Sequence, residues 1–299
     1  MRDEIKEKLD LQDAAALTDI GYYYEHGMGL KQSYEKALIF YRRAADRGDG
    51  AALNNLGWLY LNGFGIEKDL DAAIEYFEKS GEKKFPKAYV NLGNIFENKG
   101  DYKQAIKYYR KAAGLGDPDG LYNVANFYHH GFGVRRNYGK AAVIFSELAE
   151  LDYPSAYFYL GLYYEQGISF EQDIEKAIAF YLQGAHWGDA ACMLHLGVLF
   201  ASGEHMDPDY ETALFWYKEA ARHGDSLAHV NIGWLYEKGL GVPVDYKKAI
   251  PWYRKGAKLG EPHAMVNLGG MYEDGLGVKA DMKKARYWYD RAEEVEDFE

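Results

Sequence analysis

Cysteine, proline and long apolar runs are scarce in this 299-residue sequence, which contains one cysteine (Cys192) and seven prolines. A single cysteine excludes an internal disulfide and an all-cysteine zinc site, and it favours a reducing compartment. No segment approaches about 18 uninterrupted apolar residues, the length that indicates a membrane-spanning helix. The first ten residues, MRDEIKEKLD, are charged where a signal peptide would be apolar. We therefore expect a cytoplasmic protein that does not enter a membrane.

Positive charge is also in deficit. The sequence has 35 Lys and Arg against 46 Asp and Glu, a formal net charge of -11, and it contains no long basic run. Nucleic acid and anionic membrane surfaces are therefore not the expected partners. The charge favours a polar or basic protein or peptide as the partner, with solubility alone as the alternative explanation.

Chemical motifs are equally sparse. The nine histidines include no H-E-x-x-H or comparable ligand spacing, so we predict no metal and no cofactor. The motif S-x-x-K occurs at Ser33 to Lys36 and at Ser80 to Lys83, but the S-D-N and K-T-G partners of that hydrolase chemistry are absent. We predict no catalytic residue and no enzyme, and a hydrolase with an unfamiliar site is the rival hypothesis.

The sequence does contain a tandem repeat. A small residue recurs with an aromatic residue three positions later, at steps of 36 residues except for one step of 32. We call these small residues the landmark positions: Gly21, Gly57, Gly93, Ala125, Gly161, Gly197, Gly233 and Gly269. An alanine column, with an aromatic residue four positions further on, follows at Ala37, Ala73, Ala105, Ala141, Ala177, Ala213, Ala249 and Ala285. Eight repeats therefore cover almost the whole chain.

Each repeat is predicted to contain two α-helices. In repeat two, Leu56, Gly57 and Tyr60 share one face of the first helix, and Ala73 and Phe77 share one face of the second. Four positions before each column alanine stands a residue that can accept a hydrogen bond from the free amides of a new helix. These predicted N-caps are Ser33, Asp69, Asp101, Asn137, Asp173, Asp209, Asp245 and Asp281.

A short glycine-containing segment separates the two helices of most repeats. Gly239 and Gly241 would suit a phosphate-binding loop only if they formed a single feature after a strand. The same place carries GMG, GFG, GFG and GLG in repeats one, two, four and eight. We therefore predict that these glycines turn a corner between helices.

This pattern resembles the Sel-one-like repeat family, the 36-residue relatives of tetratricopeptide repeats. The resemblance is carried by ALNNLGWLYLNGFGIEKDLDAAIEYFEKSG and its seven echoes, whereas repeat three, NLGNIFENKGDYKQAIKYYRKAAGLGDP, is more similar to a plain tetratricopeptide unit. It implies an all-α fold, a right-handed α/α solenoid of eight tandem helix-turn-helix repeats, and a role in protein–protein scaffolding. We predict the repeats over residues 13–294, a helical extension or cap over 1–12, and an acidic tail over 295–299.

The candidate site follows from two further columns. Asparagine stands two positions before the landmark residue in five repeats, and the position after the landmark carries asparagine or tryptophan in four. Amides both donate and accept hydrogen bonds, and aromatic residues often dominate interface energies. By resemblance to tetratricopeptide repeats, such positions line a concave face that holds an extended peptide. The candidate residues are Asn55, Trp58, Asn91, Asn94, Tyr122, Asn123, Asn126, His129, Asn231, Trp234 and Asn267.

Two interpretations of these columns stay open. The asparagines bind a ligand, or they bond only the adjacent repeat while the tryptophans merely pack. The leading hypothesis is a non-enzymatic adaptor that binds a peptide or protein in its concave groove and is a monomer or self-associates weakly. The alternative is an immunity or regulatory protein that inhibits one cognate enzyme. We expect the strongest patch at Asn91, Asn94, Asn123 and Asn126, across repeats three and four.

Overall fold

The computed structural model describes residues 13–296, and this part of the chain consists of helices joined by turns. Its sixteen helices, two per repeat, are α1 Ala14–His26, α2 Tyr34–Ala45, α3 Gly50–Asn62, α4 Leu70–Glu82, α5 Pro86–Asn98, α6 Tyr102–Gly114, α7 Pro118–His130, α8 Tyr138–Glu150, α9 Pro154–Gln166, α10 Ile174–His186, α11 Ala190–Ser202, α12 Tyr210–Arg222, α13 Ser226–Lys238, α14 Tyr246–Lys258, α15 Pro262–Asp274 and α16 Met282–Glu296. The all-α prediction of eight helix-turn-helix repeats is confirmed. The predicted cap over 1–12 lies outside the described residues, as do residues 297–299 of the predicted tail.

Side-chain caps start the second helix of every repeat, as the sequence predicts. Asp69 accepts a hydrogen bond from the Ala72 amide at 2.9 Å, and the remaining seven predicted caps make the equivalent bond. Such a bond satisfies one of the amides that the first helical turn leaves without a backbone partner. The sequence therefore sets the start of each second helix locally.

The landmark glycines make room for aromatic rings. A Cβ atom placed on Gly233 would lie 2.5 Å from a ring carbon of Tyr253, and on Gly57 it would lie 2.8 Å from the ring of Phe77. Both rings are fully buried. In the seven hairpins with a landmark glycine, the small residue and the aromatic residue therefore form one contact, and a side chain at the glycine would overpack it.

The glycine pairs form corners, which confirms the prediction. Gly239 and Gly241 have φ angles of 71° and 65°, in the left-handed region that glycine adopts without strain. A Cβ atom on Gly241 would lie 2.7 Å from Cβ of Tyr210, the first residue of α12 in the preceding repeat. The second glycine of the pair therefore also allows adjacent repeats to approach closely.

The chain divides into two compact units, Met1–Ile144 and Phe145–Glu299. In the first unit, hairpins such as α3/α4 and α5/α6 stack so that each second helix contacts the first helix of the next repeat. The second unit repeats this arrangement from α9 to α16. Each unit is therefore a short α/α solenoid whose core lies between successive hairpins. None of the described helices has the length and apolar character needed to cross a membrane.

Candidate functional site

The predicted binding residues lie on the first helices of the repeats. In the first unit, Trp58 of α3 exposes 43% of its surface, which is unusual for so large an apolar side chain. Its indole stacks on no other ring in the described part of the chain. Asn55 lies one turn earlier on the same helix and is half-buried. We call the solvent-facing side of the first helices of each unit its first-helix surface.

Asparagine amides connect repeats two and three. Asn91 Nδ2 of α5 donates to Asn54 Oδ1 of α3 at 2.9 Å, and Asn54 Nδ2 lies 3.4 Å from Asn55 Oδ1. Part of the hydrogen-bonding capacity of Asn91 is therefore used between repeats, as the structural interpretation of the column requires. One Asn91 amide hydrogen and its carbonyl oxygen remain available, because an amide offers two donors and two acceptor lone pairs.

Asn94 is exposed, and its side-chain amide oxygen lies 2.7 Å from the Tyr109 hydroxyl. The structure brings Asn94 together with the buried aromatic column of its own repeat, a contact that sequence reasoning missed. On α7, Tyr122, Asn123 and Asn126 are all half-buried. The side-chain amide of Asn123 takes part in no hydrogen bond among the described residues, whereas Tyr122 and Asn126 do have partners.

His129 is held in the neutral form. Burial, reinforced by the nearby His130 and Arg136, lowers its pKa to about 4. Its ring packs edge-on against His130, at 4.5 Å between centroids, and lies 5.3 Å from Tyr138. At neutral pH this side chain therefore presents an uncharged ring near the candidate patch.

The second unit presents a similar but more apolar first-helix surface. Trp234 of α13 is 39% exposed, and Val198 stands exposed at the same repeat position of α11. Asn231 and Asn267 are half-buried, and no hydrogen bond of the described residues uses either amide. The candidate residues of this unit therefore combine an exposed indole with amide groups that retain donors and acceptors.

Sequence reasoning missed a recurring tyrosine–glutamate pair. Four positions after the landmark glycine, a glutamate accepts a hydrogen bond from the hydroxyl of the tyrosine that packs on that glycine in five repeats; four of these tyrosines are buried and Tyr289 is half-buried. The pairs are Tyr41–Glu25, Tyr109–Glu97, Tyr181–Glu165, Tyr253–Glu237 and Tyr289–Glu273, at 2.5–2.8 Å. Aligning the two columns would have revealed it, because the repeats with Phe77 and Phe145 carry Leu61 and His129 instead of glutamate.

Among the described residues, one tyrosine–glutamate pair has a histidine beside it, and that pair belongs to repeat five. His195 Nδ1 lies 3.8 Å from Glu165 Oε2 and 3.5 Å from the Tyr181 hydroxyl. Burial raises the pKa of Glu165, but the neighbouring His195 and the hydrogen bond from the Tyr181 hydroxyl outweigh that effect, so the carboxyl pKa lies below its usual value. The carboxylate and phenol recur in four repeats that lack the histidine, which identifies them as part of the framework.

The reactive side chains singled out in the sequence have structural roles. Ser80 is fully buried and donates to the Gly50 carbonyl at 2.6 Å, and Ser33 caps α2. Cys192 is fully buried, and burial raises the pKa of its thiol, which disfavours the nucleophilic thiolate. Within residues 13–296, no cluster of three or more His, Cys, Asp or Glu side chains is arranged to hold a metal ion.

Comparison with known protein families shows which family this chain matches. The Sel1 repeat model matches residues 14–49, 50–85, 118–153, 154–188, 190–225, 226–261 and 262–294. The chain belongs to the Sel1 repeat family. The tetratricopeptide repeat model matches residues 86–115, which confirms the different character of repeat three. Stacked repeats of this kind form extended surfaces suited to binding other proteins.

Solved structures agree with this assignment. This Sel1 repeat protein is 31% identical to c5321, a protective antigen of uropathogenic Escherichia coli with an SLR fold, at a TM-score of 0.73. The match covers 96% of this chain but only 62% of c5321. A Sel1 repeat protein from Oxalobacter formigenes is 26% identical, with a TM-score of 0.75 and coverage of 98% and 87% of the two chains. No curated protein gives a significant match.

Proposed function

We propose that this Sel1 repeat protein is a non-enzymatic scaffold that binds a peptide or protein on its first-helix surface. The observation that carries the proposal is the exposure of Trp58 and Trp234 at equivalent positions, each three residues from a half-buried asparagine. Residues three apart share a helix face. An exposed indole beside an amide offers a partner both an apolar anchor and a hydrogen-bonding group.

In the first unit, repeats three and four supply the amide-rich part of this surface. Asn91 and Asn94 belong to α5, Asn123 and Asn126 belong to α7, and these two helices are in contact. Packed helices lie about 8–10 Å apart. Pairs of amides at that spacing suit the backbone of an extended peptide, whose N–H and C=O groups alternate along its length.

The partner that best fits this surface is polar or basic. The protein carries a net charge of -11, which attracts cationic partners and speeds their association. Neutral His129 adds no positive charge near the amides. We therefore propose that the partner contributes peptide backbone to the asparagines and an apolar side chain to a tryptophan. As part of the same proposal, the protein acts in the cytoplasm.

Affinity purification with mass spectrometry would first identify the partner, and calorimetry would then measure its affinity for variants. Replacing Asn91 and Asn123 together by alanine should weaken binding by about 5- to 100-fold, because the partner's polar groups would lose their hydrogen bonds. The melting temperature and helical circular dichroism should barely change. Asn54→Ala is the matched control, since it breaks the bond from Asn91 without removing a predicted binding residue.

The control decides between the two interpretations of the asparagine column. Normal binding by Asn54→Ala, with weak binding by the double variant, supports a ligand site. Equal weakening by both would mean that the bond between repeats two and three is what matters, and the proposed site would be wrong. Trp58→Ala and Trp234→Ala test the anchors in the same assay. Phe215→Ala, at a 53% exposed position on a second helix, should leave binding unchanged.

A further inference from the structure

A pocket of about 490 Å³ opens in the second unit between α12, α13 and α14, away from the residues of the first-helix surface. Its lining consists of Lys218, Ala221, Arg222, His229, Trp252 and Lys255. Three of these side chains are cations at neutral pH, and no carboxylate lines the pocket. In a protein of net charge -11, this is a local concentration of positive charge.

His229 contributes a buried polar group. It is only 7% exposed, and its Nδ1 atom lies 3.0 Å from the Asp225 carbonyl oxygen. A carbonyl oxygen only accepts hydrogen bonds, so Nδ1 carries the proton of this bond. In the neutral ring Nε2 is then an acceptor, so the hydrogen bonds that an anion would accept in this pocket come from its lysine and arginine side chains.

Trp252 fixes the position of one of the cations. The Lys255 ammonium lies 4.6 Å from the centre of the Trp252 ring, within the range of a cation–π interaction. Arg222 pairs with Glu219 on its own helix, but a guanidinium has five N–H donors and retains several after one such contact. Lys218 forms no ion pair with any residue in the described part of the chain.

The first unit contains the corresponding pocket with a lining of mixed charge, which includes Lys84, Lys111 and Glu82. At the equivalent positions of repeats two and three, Glu78 replaces Lys218 and Glu82 replaces Arg222. That pocket measures about 430 Å³ and is lined in part by Glu82 and Lys111, the equivalent of Lys255. Glu78 accepts the Tyr108 hydroxyl at 2.9 Å. The solenoid architecture therefore creates the cavity in both units, whereas a lining with three cations and no carboxylate distinguishes the pocket of the second unit from that of the first.

We propose that the pocket of the second unit binds a phosphomonoester group. Such a group carries a charge of about -1.5 to -2 at neutral pH and three strong acceptor oxygens. Lys218, Arg222 and Lys255 supply compensating charge, and hydrogen bonds between ionised partners are about twice as strong as neutral ones. The group comes from a small phosphomonoester or from a phosphorylated side chain of a protein. This inference does not depend on the proposed scaffold function.

The test uses the full-length protein and follows the indole N–H signal of Trp252 by NMR, assigned with Trp252→Phe. Phenyl phosphate and a short phosphoserine peptide are titrated at constant ionic strength, with the unphosphorylated peptide as the control. We expect a saturable shift with both phosphorylated probes and none with the control. Similar affinities would identify a small phosphomonoester as the sufficient ligand, and tighter binding of the peptide would identify a phosphorylated protein. Absence of a saturable shift with either probe would overturn the proposal.

Variants locate the site. Lys218→Glu with Arg222→Glu introduces the glutamates found at these positions in the first unit and should weaken phosphate binding at least ten-fold. The protein should stay folded, since neither side chain is fully buried, with a small fall in melting temperature from the loss of the Arg222–Glu219 ion pair. Lys87→Glu with Lys103→Glu makes the same change in net charge at exposed positions of the first unit. This control should bind like the wild type. Equal binding by all three proteins, or equal loss in both double variants, would show that the pocket is not the site.

Discussion

Repeats six and seven, which are adjacent in the second unit, have the same glycine–tyrosine packing but differ in whether the tyrosine hydroxyl has a carboxylate partner. A Cβ atom on Gly197 or on Gly233 would lie 2.5 Å from a ring carbon of Tyr217 or Tyr253, respectively. Four positions after the glycine, repeat seven has Glu237, which accepts the Tyr253 hydroxyl at 2.8 Å. Repeat six has Ala201 at that position and makes no such bond.

The difference shows two ways of accommodating a phenol in this hairpin. Every buried side-chain nitrogen or oxygen of the described residues has a hydrogen-bond partner. Tyr217, which is 4% exposed and pairs with no carboxylate, therefore has its hydroxyl in contact with solvent beside the small Ala201. Repeat two takes a third course, with Phe77 and Leu61, and so has no hydroxyl to satisfy. The residue four positions after the landmark glycine therefore varies with the aromatic ring. Glutamate accompanies a hydrogen-bonded tyrosine, alanine accompanies a tyrosine whose hydroxyl contacts solvent, and leucine accompanies phenylalanine.

The largest expected effect is on stability in alkali. Burial raises the pKa of both Tyr217 and Tyr253, and for Tyr253 the hydrogen bond to Glu237 and the charge of that carboxylate raise it further. Because the folded pKa exceeds the unfolded value, each tyrosine's contribution is complete below pH of about 10 and is lost as the pH rises. Above that pH, each should reduce the free energy of unfolding by about 1.4 kcal/mol per pH unit.

Chemical denaturation from pH 8 to about 11.5 tests this expectation. Tyr253→Phe and Tyr217→Phe should each make the fall of the unfolding free energy with pH less steep, by up to about 1.4 kcal/mol per pH unit. If Tyr217→Phe changes the slope less than Tyr253→Phe does, solvent contact already lets the Tyr217 hydroxyl ionise in the folded protein. No change of slope in Tyr253→Phe would contradict the buried, glutamate-paired phenol.

Glu237→Leu should destabilise the protein by about 1–3 kcal/mol, because leucine covers the Tyr253 hydroxyl without accepting its hydrogen bond. Adding Tyr253→Phe reproduces the Leu61 and Phe77 combination of repeat two and should restore most of the loss. Thermal and urea unfolding of the single and double variants measure this coupling. Ala201→Leu in repeat six should have a similar cost. If the double variant is no more stable than Glu237→Leu, the hydroxyl is not the cause.

The first helices of the two repeats also differ where they contact the preceding repeat. Repeat six has the fully buried Cys192 where repeat seven has Ala228, and a Cβ atom on Gly184 would overlap the Cys192 sulfur. Cys192→Ala should therefore cost about 1 kcal/mol for a small cavity and leave partner binding intact. Gly184→Ala in the same chain should recover this cost, since Ala220 and Ala228 already occupy the equivalent positions. A loss above about 2 kcal/mol in Cys192→Ala would contradict the small-residue role.

The smallest effect is expected from Ala201→Glu, which gives repeat six the carboxylate of repeat seven. A new bond from Tyr217 should stabilise the protein by about 0.5–1 kcal/mol, the net value of a typical hydrogen bond. A double-mutant cycle with Tyr217→Phe isolates the bond from other consequences of the longer side chain. Stabilisation that persists in the presence of Tyr217→Phe would show that the hydroxyl is not involved.

Much of the candidate site was accessible to sequence reasoning, but its connections were not. One column offered Trp58 and Trp234 as candidate binding anchors, with packing as the alternative, and the asparagine column predicted polar positions on the first helices. The bond from Asn91 to Asn54 was not predicted, because Asn54 belongs to no recurring column and lies one repeat away. Whether these asparagines bind a partner stays a prediction.

The sequence by itself determined the helices, their caps, the corners and the number of repeats. Each of these depends on residues close together in the chain, such as Asp69 with the amide of Ala72 or a glycine whose φ angle is positive. Only the tertiary structure decided which side chains of successive repeats meet, including Asn91 with Asn54 and Arg222 with Trp252 around one pocket. The physical reason is that such contacts join residues some 30 or more positions apart, and their distances depend on how closely the buried glycine and aromatic columns allow the helices to pack.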